Sequence, residues 1–123
     1  MAARILLIDD DAGIRESMRM PLEYEGYEYS SAASAEEGIA AVQRDSPDIV
    51  FLDIKMPGLD GPSLYLELTR RWPDTRPHLL FISGFVESPE YAGFLQGTRA
   101  QVLLKPFAVD DLSRAVTAIL AGA

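Results

Sequence analysis

Short runs of apolar residues without polar alternation recur along the chain, and polar or charged residues follow them. The clearest runs are Ile5-Leu6-Leu7-Ile8, Ile49-Val50-Phe51-Leu52 and Val102-Leu103-Leu104. Such runs are typical of strands in a parallel sheet that is covered on both faces. The pattern predicts strands over about 4–9, 27–32, 48–53, 78–82 and 101–104.

Stretches with helical spacing and capping residues separate the predicted strands. The first ends in front of Gly26, a common helix stop, and the second opens at Ser34 with Glu37 completing a capping box. Pro62 suits the first position of the third. The pattern predicts helices over about 12–25, 34–44, 62–72, 89–96 and 109–120.

Five strand–helix units with short connections predict an α/β fold with a parallel sheet and helices on both faces. We expect a flavodoxin-like (βα)5 doubly wound sandwich with strand order 2-1-3-4-5, formed by residues 1–123 as a single domain. In that order, the carboxyl ends of strands 1, 3, 4 and 5 lie side by side, where such sheets bind ligands.

Asp9, Asp10, Asp53, Ser83 and Lys105 all fall at these strand ends. Taken singly, each has an ordinary explanation, since an Asp after a strand usually caps a helix and a lone Ser or Lys-Pro pair usually belongs to a solvated turn. Their joint placement predicts a site for a divalent cation and a phosphoryl group. Asp11 we expect to be only the N-cap of the first helix.

The chemistry of this set is consistent. Mg²⁺ prefers oxygen ligands, and its charge offsets the repulsion between neighbouring carboxylates. An Asp carboxylate can attack phosphorus and form an acyl phosphate. Phosphoryl transfer mainly needs positioning and charge neutralisation, for which the Lys105 ammonium and the Ser83 hydroxyl are suited.

Composition narrows the class of protein. The formal net charge of −8 argues against direct nucleic-acid binding. The absence of cysteine excludes disulfides, and the single histidine, His78, disfavours a zinc site of the usual ligands. No apolar stretch approaches the roughly 20 residues that span a bilayer, and the N-terminus has no signal-peptide pattern. We therefore expect a cytoplasmic protein that does not bind membranes.

Taken together, the motifs resemble the receiver domain of two-component response regulators over essentially the whole chain. The matching segments are Ile8-Asp9-Asp10, the run from Leu52 to Gly61, Ile82-Ser83-Gly84 and Lys105-Pro106-Phe107. The resemblance implies a signalling phosphoacceptor that assists only its own phosphorylation and dephosphorylation, rather than an enzyme. It also implies two kinds of partner: a sensor histidine kinase or phosphotransfer protein, and a downstream protein or effector domain.

The resemblance assigns roles to residues of the site. Asp53 would accept a phosphoryl group from a phosphohistidine, Ser83 would be the switch hydroxyl that moves to that group, and Lys105 would pair with it. Asp10 would bind Mg²⁺ directly and Asp9 mainly through water. Asp53 and the backbone carbonyl of Lys55 would complete the metal ligands. The Lys55 side chain would either shield the acyl phosphate from water, which we favour, or extend into solvent.

One position departs from the family pattern. The family commonly has Tyr or Phe three residues before the lysine, and this chain has Val102. A valine cannot make the same rotamer swing. Either Phe85 or another aromatic residue nearby supplies the moving part, or Phe85 is simply a loop residue packed on the fourth helix, which is the more common arrangement. The departure also leaves dimerisation open between a monomer and a weak dimer.

Three other classes share parts of the pattern. A flavodoxin needs a hydroxyl- and glycine-rich loop after strand 1, where Asp9-Asp10-Asp11 would repel a phosphate. A phosphatase with an Asp nucleophile would typically place a second Asp two residues on, where this chain has Lys55. A receiver-like interaction module that does not need phosphorylation is the main alternative, and it is disfavoured because all five site residues are present.

Overall fold

The computed structural model describes residues 3–53, 61–72, 78–83, 101–104 and 109–122. Its strands are β1 (Arg4–Ile8), β2 (Glu28–Ala32), β3 (Ile49–Asp53), β4 (His78–Ser83) and β5 (Gln101–Leu104). Its helices are α1 (Ala12–Tyr24), α2 (Ala35–Asp45), α3 (Gly61–Arg71) and α4 (Val109–Gly122), the last being the fifth helix predicted from the sequence. The helix predicted over 89–96 lies outside the described residues.

The strands form one parallel sheet in the order β2-β1-β3-β4-β5, which confirms the predicted flavodoxin-like topology. β1 lies between β2 and β3, so that Ile8 is level with Ala32 on one side and Leu52 on the other. On its other side, β3 pairs with β4, and Asp53 is level with Ile82. The carboxyl ends of β1 and β3 therefore meet at one edge of the sheet.

The sheet is covered on both faces, which explains why its central strands show no polar alternation. Leu6 and Ile8 of β1 belong to a buried cluster that includes α2 and α3 residues such as Val42 and Leu64. Residues that point to the other face join a second cluster with α1 and α4. Members of that cluster from the sheet and the two helices are Ile5, Leu7, Ile49, Phe51, Leu80, Ile82, Met18, Leu22, Leu112 and Val116.

The helix ends use the predicted signals. α1 stops in a Schellman motif: Gly26 has φ of +92°, its N–H donates to the Glu23 carbonyl, and the Tyr27 N–H donates to the Leu22 carbonyl. At α2 the Ser34 hydroxyl accepts from the Glu37 N–H at 3.2 Å. The Glu37 carboxylate accepts from the Ala33 N–H at 2.8 Å, one residue earlier than in the standard capping box.

Gly38 of α2 allows that helix to lie directly on β1. A Cβ at this position would overlap the Ile8 side chain, with Cγ1 only 2.9 Å away, and Ile8 is fully buried. Overpacking of this kind costs about 1–3 kcal/mol, while alanine gains up to about 1 kcal/mol in helix propensity. We expect Gly38→Ala to lower the free energy of unfolding by about 1 kcal/mol in urea denaturation.

Ile8→Val gives the matched test of this contact, because it removes Cδ1, the Ile8 atom nearest to the added methyl group. In the double variant, Gly38→Ala should cost less than it does alone. Strictly additive costs would show that the loss at Gly38 does not arise from overlap with Ile8.

Candidate functional site

Asp9 directly follows β1 and is fully buried, which is unusual for a carboxylate. Its backbone N–H donates to the Ala32 carbonyl of β2 at 3.1 Å. Its Oδ1 accepts a hydrogen bond from the Asp11 N–H at 2.9 Å. These contacts hold the carboxylate at the carboxyl end of the sheet.

Asp53 is the last residue of β3 and is only 6% exposed. Because Ile8 of β1 is level with Leu52 of β3, the residues that follow them, Asp9 and Asp53, lie side by side at the carboxyl ends of two adjacent strands. The parallel register thus brings together two carboxylates that lie far apart in the sequence.

Asp10 completes a cluster with these two side chains. One carboxylate oxygen from each of Asp9, Asp10 and Asp53 lies within 4.8 Å of the others. Asp10 is exposed, whereas its two neighbours are buried, so the cluster opens to solvent on one side. Three carboxylates at this spacing repel one another, and hard oxygen donors on an open rim suit a small divalent cation such as Mg²⁺.

Asp11 caps α1, as predicted. Its Oδ1 accepts from the Gly13 N–H at 2.8 Å and from the Ile14 N–H at 3.3 Å. Asp11→Ala should lower the free energy of unfolding by about 1 kcal/mol, while Asp11→Asn should change it little, because asparagine caps as well as aspartate. Urea denaturation without Mg²⁺ measures both; equal losses would mean that the cap does not account for the stability.

The structure places the other predicted site residues only in part. Ser83 is the last residue of β4 and is level with Leu104, the residue before Lys105. Lys55, Lys105 and Phe85 lie outside the described residues. Val102 is in β5, level with Phe81 of β4.

Arg15 and Tyr29 are neighbours of the site that the sequence analysis does not identify. Arg15 Nη1 donates to the Asp9 backbone carbonyl at 2.6 Å. The Tyr29 hydroxyl of β2 donates to the Arg15 backbone carbonyl at 2.7 Å. Burial raises the pKa of Tyr29 to about 12, so this hydroxyl keeps its proton at neutral pH. The sequence feature that could have identified Arg15 is its position, one helical turn after Asp11, the N-cap of α1.

No helix in the described part of the chain is long and apolar enough to cross a membrane. This result agrees with the sequence, which has no run of the required length.

Comparison with known proteins gives one consistent result. The family profile described as the response regulator receiver domain matches residues 5–117. Response regulator MprA from Mycolicibacterium vanbaalenii is 37% identical over 120 residues, which cover 98% of this chain and 51% of MprA. The C4-dicarboxylate transport transcriptional regulatory protein DctD from Rhizobium meliloti is 36% identical over 111 residues, covering 90% of this chain and 24% of DctD.

A solved structure agrees with these sequence relatives. The CheY-like response regulator receiver domain protein from Methanospirillum hungatei matches with a TM-score of 0.89 and 30% identity, covering 99% of this chain and 96% of that chain. The chain spans about half the length of MprA and about a quarter of DctD. On its sequence, its fold and its acidic site, the chain belongs to the receiver domain family of two-component response regulators.

Proposed function

We propose that Asp53 is the residue that accepts the phosphoryl group, with Mg²⁺ held by Asp9, Asp10 and Asp53. The observation that carries the proposal is the cluster itself, in which one oxygen from each carboxylate lies within 4.8 Å of the others. Asp53 is 6% exposed at the end of a central strand, so its surroundings can hold it in one orientation. Preorganisation of this kind is the main requirement of phosphoryl transfer.

The donor set fits Mg²⁺ because it consists of hard carboxylate oxygens and leaves one side open for water or phosphate oxygens. When bound, the cation neutralises charge on the carboxylates and on the transferred group. We also propose that the Lys55 backbone carbonyl is a further Mg²⁺ ligand. The Lys55 side chain would shield the acyl phosphate from water. The resemblance of the Asp53–Gly61 segment to the family motif supports both.

The reaction moves a phosphoryl group between two side chains. An Asp53 carboxylate oxygen forms a bond to phosphorus while the phosphorus–nitrogen bond of the donor phosphohistidine breaks, and the bonding pair stays on the imidazole nitrogen. The product on Asp53 is an acyl phosphate. We propose that Lys105 pairs with its oxygens and that the Ser83 hydroxyl moves to it. Ser83 is the last residue of β4, and Lys105 directly follows the last residue of β5 in the sequence.

This chemistry implies a signalling protein that modifies only itself, working with two classes of partner. We propose a sensor histidine kinase or phosphotransfer protein as donor, and a downstream protein or effector domain as target. A net charge of −8 supports output through protein contact rather than through nucleic acid. We also propose that residues 1–123 form one receiver domain with a cytoplasmic location and a monomeric or weakly dimeric state.

Intact-mass measurement after incubation with acetyl phosphate tests the proposal. We expect a gain of one phosphoryl group that requires Mg²⁺ and does not occur when a chelator is present during the incubation. A folded protein that gains nothing at any Mg²⁺ concentration would contradict the proposal. That result would favour the alternative, a receiver-like interaction module that does not need phosphorylation. No feature of the described residues supports this alternative over a phosphoacceptor.

A further inference from the structure

Arg15 makes a contact that the proposed reaction does not use. Its Nη1 donates to the Asp9 backbone carbonyl at 2.6 Å in partly buried surroundings. A guanidinium donor makes this a charge-assisted bond, which is stronger than a bond between neutral groups. The contact joins the body of α1 to the end of β1.

The bonded carbonyl belongs to the peptide that links Asp9 to Asp10. Several hydrogen bonds hold Asp9, among them one from its N–H to the Ala32 carbonyl, one from the Asp11 N–H to its carboxylate, and one from Arg15 to its carbonyl. The bond from Arg15 acts on the Asp9–Asp10 peptide group itself. The orientation of that peptide decides whether both carboxylates face the same point.

Arg15 is itself held from two sides. Its backbone N–H donates to the Asp11 carbonyl at 3.1 Å within the first turn of α1. Its carbonyl accepts the Tyr29 hydroxyl of β2 at 2.7 Å. The Arg15 backbone is thus fixed to the sheet. Its side chain in turn holds the Asp9 carbonyl, next to the three carboxylates of the proposed metal site.

We propose that Arg15 is a positioning residue for the acidic site, which raises Mg²⁺ affinity by fixing the peptide between Asp9 and Asp10. The inference rests on the proposed function, since it concerns the same Mg²⁺ site. The sign of the effect separates positioning from simple electrostatics. A positive charge near the site repels a cation, so an effect of charge alone would weaken binding and its removal would strengthen it.

Arg15→Met is the informative variant because methionine keeps an unbranched stem and removes the guanidinium donors. We expect its Mg²⁺ affinity, measured by titration calorimetry, to fall about tenfold, as when a supporting partner of a metal ligand is lost. Arg15→Lys, which restores a cationic donor, should recover most of the affinity.

Arg19→Met is the matched control, one turn further along α1. Arg19 pairs with Glu16 at 3.6 Å and lies 5.7 Å from the centre of the Tyr29 ring. Removing Arg19 takes away the same charge without touching Asp9, so its Mg²⁺ affinity should remain within about twofold of the wild type.

Amide hydrogen exchange in the metal-free protein gives a second readout that does not depend on activity. The Asp11 N–H is bonded to Asp9 Oδ1, so it reports whether the loop keeps its arrangement. We expect its exchange to be about tenfold faster in Arg15→Met than in the wild type and in Arg19→Met.

Each outcome has a distinct meaning. Unchanged or tighter Mg²⁺ binding by Arg15→Met would overturn the inference while leaving the phosphoacceptor proposal intact. Equal losses in Arg15→Met and Arg19→Met would also overturn it, since the effect would then belong to α1 in general. A wild-type protein that neither binds Mg²⁺ nor gains a phosphoryl group would overturn both proposals.

Discussion

Replacing Asp53 with asparagine is expected to abolish phosphoryl incorporation completely. The substitution preserves the size of a side chain that is 6% exposed, so the fold should survive. An amide cannot attack phosphorus as a carboxylate does, and no acyl phosphate can form. Intact-mass analysis after incubation with acetyl phosphate and Mg²⁺ measures the loss.

Asp11→Asn is the matched control for this result. It makes the same chemical change at the carboxylate that caps α1, which is outside the three-carboxylate cluster. The control should be phosphorylated to the same extent as the wild type. Incorporation into Asp53→Asn at the level of the control would show that another residue is the acceptor.

Replacing Asp10 with asparagine is expected to weaken Mg²⁺ binding by about a hundredfold, since a charged ligand is lost. Without Mg²⁺, the same substitution should slightly raise the free energy of unfolding, because it removes one of three carboxylates that repel one another within 4.8 Å. Titration calorimetry measures the affinity, and urea denaturation in the presence of a chelator measures the stability.

The two opposite signs make this prediction specific to a metal site. Asp11→Asn again serves as the control and should retain nearly wild-type Mg²⁺ affinity. A parallel fall in affinity and metal-free stability for Asp10→Asn would indicate that Asp10 supports the fold instead of binding the cation.

Much of the fold is encoded in local sequence patterns. Apolar runs indicate β1, β3, β4 and β5 but not β2, whose sequence is largely polar. All five observed strands begin and end within one residue of the predicted bounds. Helix signals were equally local: Asp11, Ser34 and Gly26 act at the helix ends where the sequence places them. The fold class follows from their alternation because parallel strands need crossover connections.

The acidic cluster was predictable because parallel topology converts sequence position into spatial position. Asp9 and Asp53 each follow an apolar run, and the 2-1-3 order of the first strands makes them neighbours. The support from Arg15 was not predictable in the same way. Every residue has a backbone carbonyl, so the residue that accepts a hydrogen bond from Arg15 cannot be recognised in the sequence by its type.

The close contact between Gly38 and Ile8 also could not be predicted from the sequence. A glycine inside a helix reads as a weak point in the sequence, and only the packing of α2 on β1 shows that a side chain there would overlap a buried strand residue. Packing between elements depends on their relative placement, which periodicity alone does not define.

Chemical mapping of the phosphoryl group tests the central claim most directly. Borohydride reduces an aspartyl acyl phosphate to homoserine, and peptide sequencing by mass spectrometry then locates the converted residue. After phosphorylation in the presence of Mg²⁺, we expect homoserine at position 53 and at no other aspartate. Conversion at Asp9, Asp10 or any other site, or a phosphoryl group that resists reduction, would contradict the assignment of Asp53 as the phosphoacceptor.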